Sequence, residues 1–368
     1  MFSGKVKGMH APHRLAPGYR VRRLPGVLAV LVLLAGLVAT PATAAPAPSP
    51  RTPLDQSALL SQVVPGLVDI NTTLSYQGAV GAGTGILLNP DGEVLTNNHV
   101  IEGATEITAV SLANSRTYAV DVIGFDRASD IALVRLRGAG SLPTAVLGTS
   151  STLAVGDPIA AIGNSNGSGA PPSFAPGTVT QIGASVRASD ESGGGTRELY
   201  DLIRVAADIR PGDSGGPLVN GAGQVVGVNV AATLTYRMGG VTGGEGFAIP
   251  IDRAVGIANQ IRSGVPSPAI HLGDTAFIGV AIADSSPMGR GPVGAVVRQV
   301  LPGTPAGQVG LFGGDVITAV DGIAITSAAD LSNIMDQRRP GDTVVLSWID
   351  RGGVPRSAPV LLAKGPVG

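Results

Sequence analysis

Turn-forming residues interrupt this chain at short intervals. With 54 glycines and 28 prolines, 82 of its 368 positions resist regular helix. The runs between them are short and rich in branched residues, which suit a pleated strand. GILL (85–88), NPDG (89–92) and EVLT (93–96) predict two strands joined by a Pro/Asp/Gly turn. Residues 131–136 and 224–230 predict further strands, and residues 56–64 a short helix that Pro65 closes. Many short strands with Gly/Pro turns over about 200 residues point to a β-sandwich or barrel. Disordered chains can share this turn content, but a hydrophobic fraction of 44% supplies enough apolar surface for a core.

The first 44 residues have the pattern of a secretory signal peptide. Lys5, Lys7, Arg14, Arg20, Arg22 and Arg23 precede an unbroken apolar and small-residue run at 27–39, and Ala42-Thr43-Ala44 supplies the cleavage site. A membrane anchor would need about 20 apolar residues. Cleavage after Ala44 leaves 19 basic and 26 acidic residues, a net charge of −7, and Lys364 as the one lysine. A basic face for nucleic acid is therefore not expected. His10 and His13 leave with the leader, so only His99 and His271 remain beside zero cysteines. That excludes disulfides, thiolate zinc sites and cysteine nucleophiles, and leaves too few imidazoles for a His/Cys metal site.

The predicted organisation is a Pro/Ala-rich segment at 45–54, a β domain at 55–262, a linker at 263–272 and a second domain at 273–365. In the second domain, Pro305 suits a first helical turn. Ser327 and Asp330 form a capping-box variant that opens another helix, running to about Gln337.

Gly212-Asp213-Ser214-Gly215-Gly216 fits two templates that exclude each other. A hydrolase nucleophile elbow needs a helix after the serine and the chain order Ser, acid, His. A strand and turn follow here, and the one later histidine, His271, lies in the linker. The order His, Asp, Ser is met instead by His99, Asp130 and Ser214. Serine needs an adjacent base to take its proton, and the imidazole needs an acid to fix its tautomer. Asp126 is the alternative acid. The Gly212–Asp213–Ser214 turn would supply oxyanion-hole amides, those of Gly212 and Ser214 above all. Gly81-Ala82-Gly83-Thr84-Gly85 is not a phosphate cradle, because a strand follows it. These glycines instead allow close backbone packing near His99.

The segments TNNHVIEGA (96–104), FDRASDIALVRL (125–136), RPGDSGGPLVN (210–220) and GFAIP (246–250) resemble the HtrA/DegP family of exported serine proteases, most nearly its secreted PepA-type mycobacterial members. The resemblance runs from about Ser57 to Leu362. It implies a mainly β fold: a chymotrypsin-like double β-barrel protease domain, then a small α/β PDZ domain. It further implies no cofactor, unfolded or damaged proteins as substrates, and often a trimer. By motif, His99 is the general base, Asp130 its orienting acid and Ser214 the nucleophile. A protein-quality-control chaperone with a resting protease site is the alternative.

One departure bears on specificity. Asp208 stands six residues before Ser214, where trypsin-like proteases place the carboxylate of a basic-specific pocket. It would either select Arg/Lys or pair with Arg210 and leave the family's small aliphatic preference. Phe277-Ile278-Gly279-Val280 resembles the carboxylate-binding loop of PDZ domains, where amides capture a peptide C-terminus. Residues 310–322 resemble the bacterial PDZ core, and Leu331 and Ile334 are candidate pocket walls that would serve equally as core.

Overall fold

Asp55 caps the first helix, α1 (Gln56–Val63), by accepting a hydrogen bond from the Ala58 amide at 3.0 Å. The computed structural model describes residues 54–164, 171–189, 196–230, 244–265, 267–285 and 291–368; the leader at 1–44 and residues 45–53 lie outside them. Pro65 falls in a 3-10 turn, Val64–Gly66, directly after the helix.

Six strands then form a first barrel: β1 (Leu67–Leu74), β2 (Ala79–Leu87), β3 (Glu93–Thr96), β4 (Glu106–Ser111), β5 (Thr117–Asp126) and β6 (Ile131–Leu136). They pair in the order β5-β4-β1-β2-β3-β6, and β5 also pairs with β6, which closes the ring. The short helix α2 (Asn98–Ile101) sits between β3 and β4. Val68, Ile70, Val94, Phe125 and Val134 fill the interior.

A second closed barrel follows, with the order β10-β11-β12-β9-β8-β7. Its strands are β7 (Pro158–Gly163), β8 (Ser173–Ser189), β9 (Thr196–Ala206), β10 (Pro217–Asn220), β11 (Val225–Val230) and β12 (Gly246–Pro250). Ile159, Val179, Ile203 and Leu218 pack inside it. A further cluster, including Leu67, Ile86, Leu133, Ile162 and Val228, continues onto helix α3 (Ile251–Arg262). With no disulfide available, these side chains hold the barrels, each contributing roughly 1.5–3 kcal/mol on burial.

After α3 comes β13 (His271–Leu272), and the C-terminal domain then contains β14 (Ala276–Phe277), β15 (Val280–Asp284), β16 (Ala295–Val300), α4 (Pro305–Gln308), β17 (Val316–Val320), β18 (Ile323–Ala324), α5 (Ala328–Asp336), β19 (Thr343–Ile349), β20 (Pro355–Leu361) and β21 (Ala363–Lys364). Its main sheet runs β15-β16-β17-β19-β20, so β15 is an edge strand. Both halves of the capping box at Ser327 and Asp330 are formed. The chain is mainly β, two barrels followed by a small α/β domain, as the motif resemblance implies.

Two segments cross back to the first barrel. The end of the stretch read as a linker forms β13, which pairs His271 with Phe125 and Leu272 with Gly124 of β5. At the other end, the Val367 amide donates to the Ala104 carbonyl at 2.9 Å, and the Val367 carbonyl accepts from the Gly103 amide. Between them, the Arg127 guanidinium holds the carboxylate of Asp336 on α5, with one contact at 2.9 Å.

Candidate active site

Thr96 ends β3, Asn97 turns the chain, and α2 presents His99 on its first turn. Asp130 lies at the start of β6 with φ +55°, a left-handed conformation that a short polar residue tolerates best. Its carboxylate grips His99 at two points: Oδ1 accepts from the backbone amide at 2.9 Å, and Oδ2 lies 2.7 Å from Nδ1. The Asn97 side-chain amide donates to the Asp130 carbonyl at 2.9 Å. Asp130 is 1% exposed, whereas the His99 side chain reaches solvent. The buried carboxylate thus holds the Nδ1–H tautomer and leaves Nε2 as the basic nitrogen. Asp126, the alternative acid, accepts instead from the Ser129 amide at 2.9 Å and shapes the turn that delivers Asp130.

Ser214 lies in a turn between Gly212 and Gly215, ahead of β10. The turn is tied to the first barrel through Thr84. The Thr84 amide donates to the Ser214 carbonyl at 2.8 Å, and its hydroxyl donates to the Gly212 carbonyl at 2.8 Å. The same hydroxyl accepts from the Asn164 amide at 2.9 Å. In turn, the Thr96 hydroxyl donates to the Thr84 carbonyl at 2.7 Å. Gly215, at φ +80°, completes the contact, because a Cβ there would lie 2.2 Å from Thr96 Oγ1 and 3.2 Å from the Asn97 amide nitrogen. Only glycine brings the serine turn this close to the segment that carries His99. Gly83 plays the packing role expected of its motif, wedged against Val100 and 3.2 Å from the Ser214 carbonyl as judged from a Cβ position.

The three residues of the oxyanion turn differ in their use. The Asp213 amide donates to the Arg210 carbonyl at 3.0 Å. Its buried side chain accepts from Ser173 Oγ at 2.6 Å and from the Arg210 amide at 2.9 Å. Burial raises the Asp213 carboxyl above its usual range, against the pull of these two donors. Asp208 is exposed and is held by Arg210 through Nε at 2.8 Å and a second guanidinium nitrogen. That pairing raises the Arg210 pKa.

The remaining histidine, His271, lies apart from this cluster. It is buried, stacked on Phe125 with ring centroids 4.7 Å apart, and directs Nδ1 at the Asp336 carbonyl at 3.1 Å. Burial lowers its pKa and keeps it neutral at pH 7. In the C-terminal domain, Phe277 to Val280 leads into the edge strand β15. Gly279 has φ +86°, and the Leu301 amide donates to its carbonyl at 2.9 Å. The Ala328 amide donates to Asp284 at 2.7 Å, which ties the start of α5 to the end of β15. Leu331 is buried in the core, while Ile334 is partly buried against it.

Two groups beside the site were not legible in the sequence. Thr84 gives one signal, a hydroxyl inside a Gly-rich apolar strand. Asp69 gives none, since a carboxylate in a strand ordinarily faces water. Here it is 6% exposed, and among the described residues nothing hydrogen-bonds or ion-pairs with its carboxylate. Burial pushes its pKa up to about 6. A raised native pKa makes stability fall as pH rises from about 4 to 6, with the full penalty present above 6. Asp69→Asn should therefore stabilise the protein at pH 8 by at most about 3 kcal/mol. The gain should vanish below pH 4, which thermal melts across that range will read.

Comparison with known proteins agrees with this geometry. Residues 83–228 match the trypsin-like peptidase domain family, and residues 276–362 match the PDZ domain family. Serine protease PepD of Mycobacterium tuberculosis is 36% identical over 316 residues, covering 83% of this chain and 65% of that protein. A DegP-like periplasmic serine endoprotease of Pseudomonas savastanoi pv. phaseolicola is 38% identical over 278 residues, covering 73% and 53%. The chloroplastic Protease Do-like 1 of Arabidopsis thaliana is 33% identical over 300 residues, covering 78% and 64%. The chain thus spans between about half and two thirds of these relatives' lengths. With a trypsin-like peptidase domain, a PDZ domain after it and relatives of this kind, the chain belongs to the HtrA family.

Proposed function

We propose that this protein is an exported serine endopeptidase that hydrolyses peptide bonds of unfolded or damaged proteins. The observation that carries the reading is the two-point grip of Asp130 on His99, beside a serine turn pinned to the same barrel by Thr84. In this mechanism His99 Nε2 takes the proton of Ser214 Oγ as the oxygen attacks the scissile carbonyl, then gives it to the leaving amine. Asp130 keeps its hold on Nδ1 and stabilises the imidazolium. The amides of Gly212 and Ser214 receive the oxyanion, while Asp213, its own amide and carboxylate engaged, shapes the turn. Water then repeats the sequence on the acyl-enzyme.

Arg210 neutralises Asp208 at the exposed turn, which favours a small aliphatic side chain before the scissile bond. The loop Phe277–Val280 and the open edge of β15 suit a peptide C-terminus added as a strand, with its carboxylate at the loop amides. This binding would select substrates or regulate the protease domain. Removal of residues 1–44 would release the chain outside the cytoplasm, a reading that the periplasmic DegP-like relatives support. The family resemblance adds a homotrimer, which native mass measurement checks.

The direct test is a fluorophosphonate probe, which reacts only with an activated serine. The folded protein should take up one probe per chain at Ser214, and Ser214→Ala none. Absence of labelling in the folded wild type would remove the peptidase reading.

A further inference from the structure

The carboxylate that the sequence offers for basic specificity, Asp208, is already occupied by Arg210. The Asp69 carboxylate, by contrast, has no partner among the described residues. Asp69 pairs with Thr84 across β1–β2 and with Val110 across β1–β4. Residues directly opposite in antiparallel strands share a face. The Asp69 side chain therefore stands on the same face as the Thr84 hydroxyl, which holds the Gly212 carbonyl. Two residues further along β1, Asn71 pairs with Ala82 and Thr108; two further again, Thr73 pairs with Val80 and Glu106.

Along this face runs an open cleft of roughly 780 Å³, lined by Asn71, Thr73, Ala82, Glu106, Pro211 and Gly212 among others. Its lining residues Asn71 and Thr73 follow Asp69 along this face of β1, Gly212 is the residue whose carbonyl Thr84 holds, and Glu106, opposite Thr73, lies further along the face from Asp69. No arginine or lysine is among its described lining residues. A carboxylate that is 6% exposed and has no cationic partner among the described residues lowers stability. Such a group calls for a cation from outside.

The position of the cleft says which part of a substrate would bring that cation. His99 must protonate the leaving nitrogen, so the departing segment lies over the barrel that carries His99. β1, β2 and β4 all belong to that barrel. We propose that this cleft receives the leaving-group side of the substrate and selects a lysine or arginine side chain there through Asp69, with Glu106 further along the same face. The inference rests on the peptidase reading above and adds a specificity on the side of the scissile bond opposite to Asp208.

The test uses peptides that are identical before the scissile bond and carry either lysine or norleucine at the first, second or third position after it. At one of the three positions, kcat/KM should favour lysine by about tenfold at low salt, an effect of the size expected for one desolvated charge pair. The ratio should fall towards one in Asp69→Asn and fall in part in Glu106→Gln. A wild-type ratio near one at all three positions overturns the proposal, as does a preference that survives both substitutions. Failure to cut any peptide counts against the peptidase reading alone. Anisotropy of the same peptides on Ser214→Ala then decides, tenfold tighter binding of the lysine peptide supporting the proposal and equal binding overturning it.

Discussion

Ser214→Ala should lower kcat for peptide hydrolysis by about a millionfold while leaving the melting temperature close to that of the wild type. The variant keeps the Thr84 bonds to the turn, since these use the carbonyls of Ser214 and Gly212 and not the hydroxyl. It loses the hydroxyl proposed to attack. What remains is polarisation of the carbonyl by the turn amides and substrate binding, which together give a residual rate well above that in water. In the proposed mechanism Ser214 and His99 act as one unit, so adding His99→Ala to Ser214→Ala should cost little more. Measuring both variants and the pair separates this unit from two independent contributions. A sum of two large losses in the pair would mean that His99 does not serve Ser214.

Asp130→Asn should lower kcat by about ten-thousandfold, again with the fold intact. Both carboxylate oxygens now accept, one from the His99 amide at 2.9 Å and one opposite Nδ1 at 2.7 Å. An asparagine has one acceptor to offer. If its oxygen keeps the backbone amide, its NH2 faces Nδ1, forces that nitrogen to accept, and moves the ring proton to Nε2. Nε2 can then no longer take the serine proton. Turning the amide over restores Nδ1 but sets two donors against each other at the His99 backbone. Fluorophosphonate labelling should slow in parallel with kcat, because the probe needs the same proton transfer; unchanged labelling would show that Asp130 does not set the tautomer.

The parts of this site that follow one another along the chain were the legible parts. TNNHV, the acid after a Gly-Phe strand, and the glycines around Ser214 each report a local geometry that other residues do not satisfy. What the sequence hid depends on pairs distant along the chain. Thr84 matters because the serine turn folds back onto it from 128 residues away. Asp69 matters because its strand lies between β2 and β4 beside that turn. Strand β8 spans 17 residues that include Pro176, Gly177 and Gly183, residue types that ordinarily interrupt a strand. Register shifts between Val179 and Gln181, and again around Ala184, absorb the irregularity without ending the strand. The docking of Val367 joins two backbone hydrogen bonds to packing of its side chain on the first-barrel core, and it spans more than 260 residues of chain, so no local pattern announces it.

That docking has a mechanical consequence. The C-terminal domain is pinned at both of its ends, through β13 on the strand that leads to Asp130 and through Val367 just beyond the helix that carries His99. A body tied at both ends and clamped between them by the Arg127–Asp336 pair passes a load on to its anchors rather than swinging freely. Torque from a peptide prising open the groove of β15 and α5 would load these two pins first. It would reach Asp130 and His99 along short covalent paths, whereas Ser214 would feel it across the non-covalent contacts of its turn with Thr84 and Thr96.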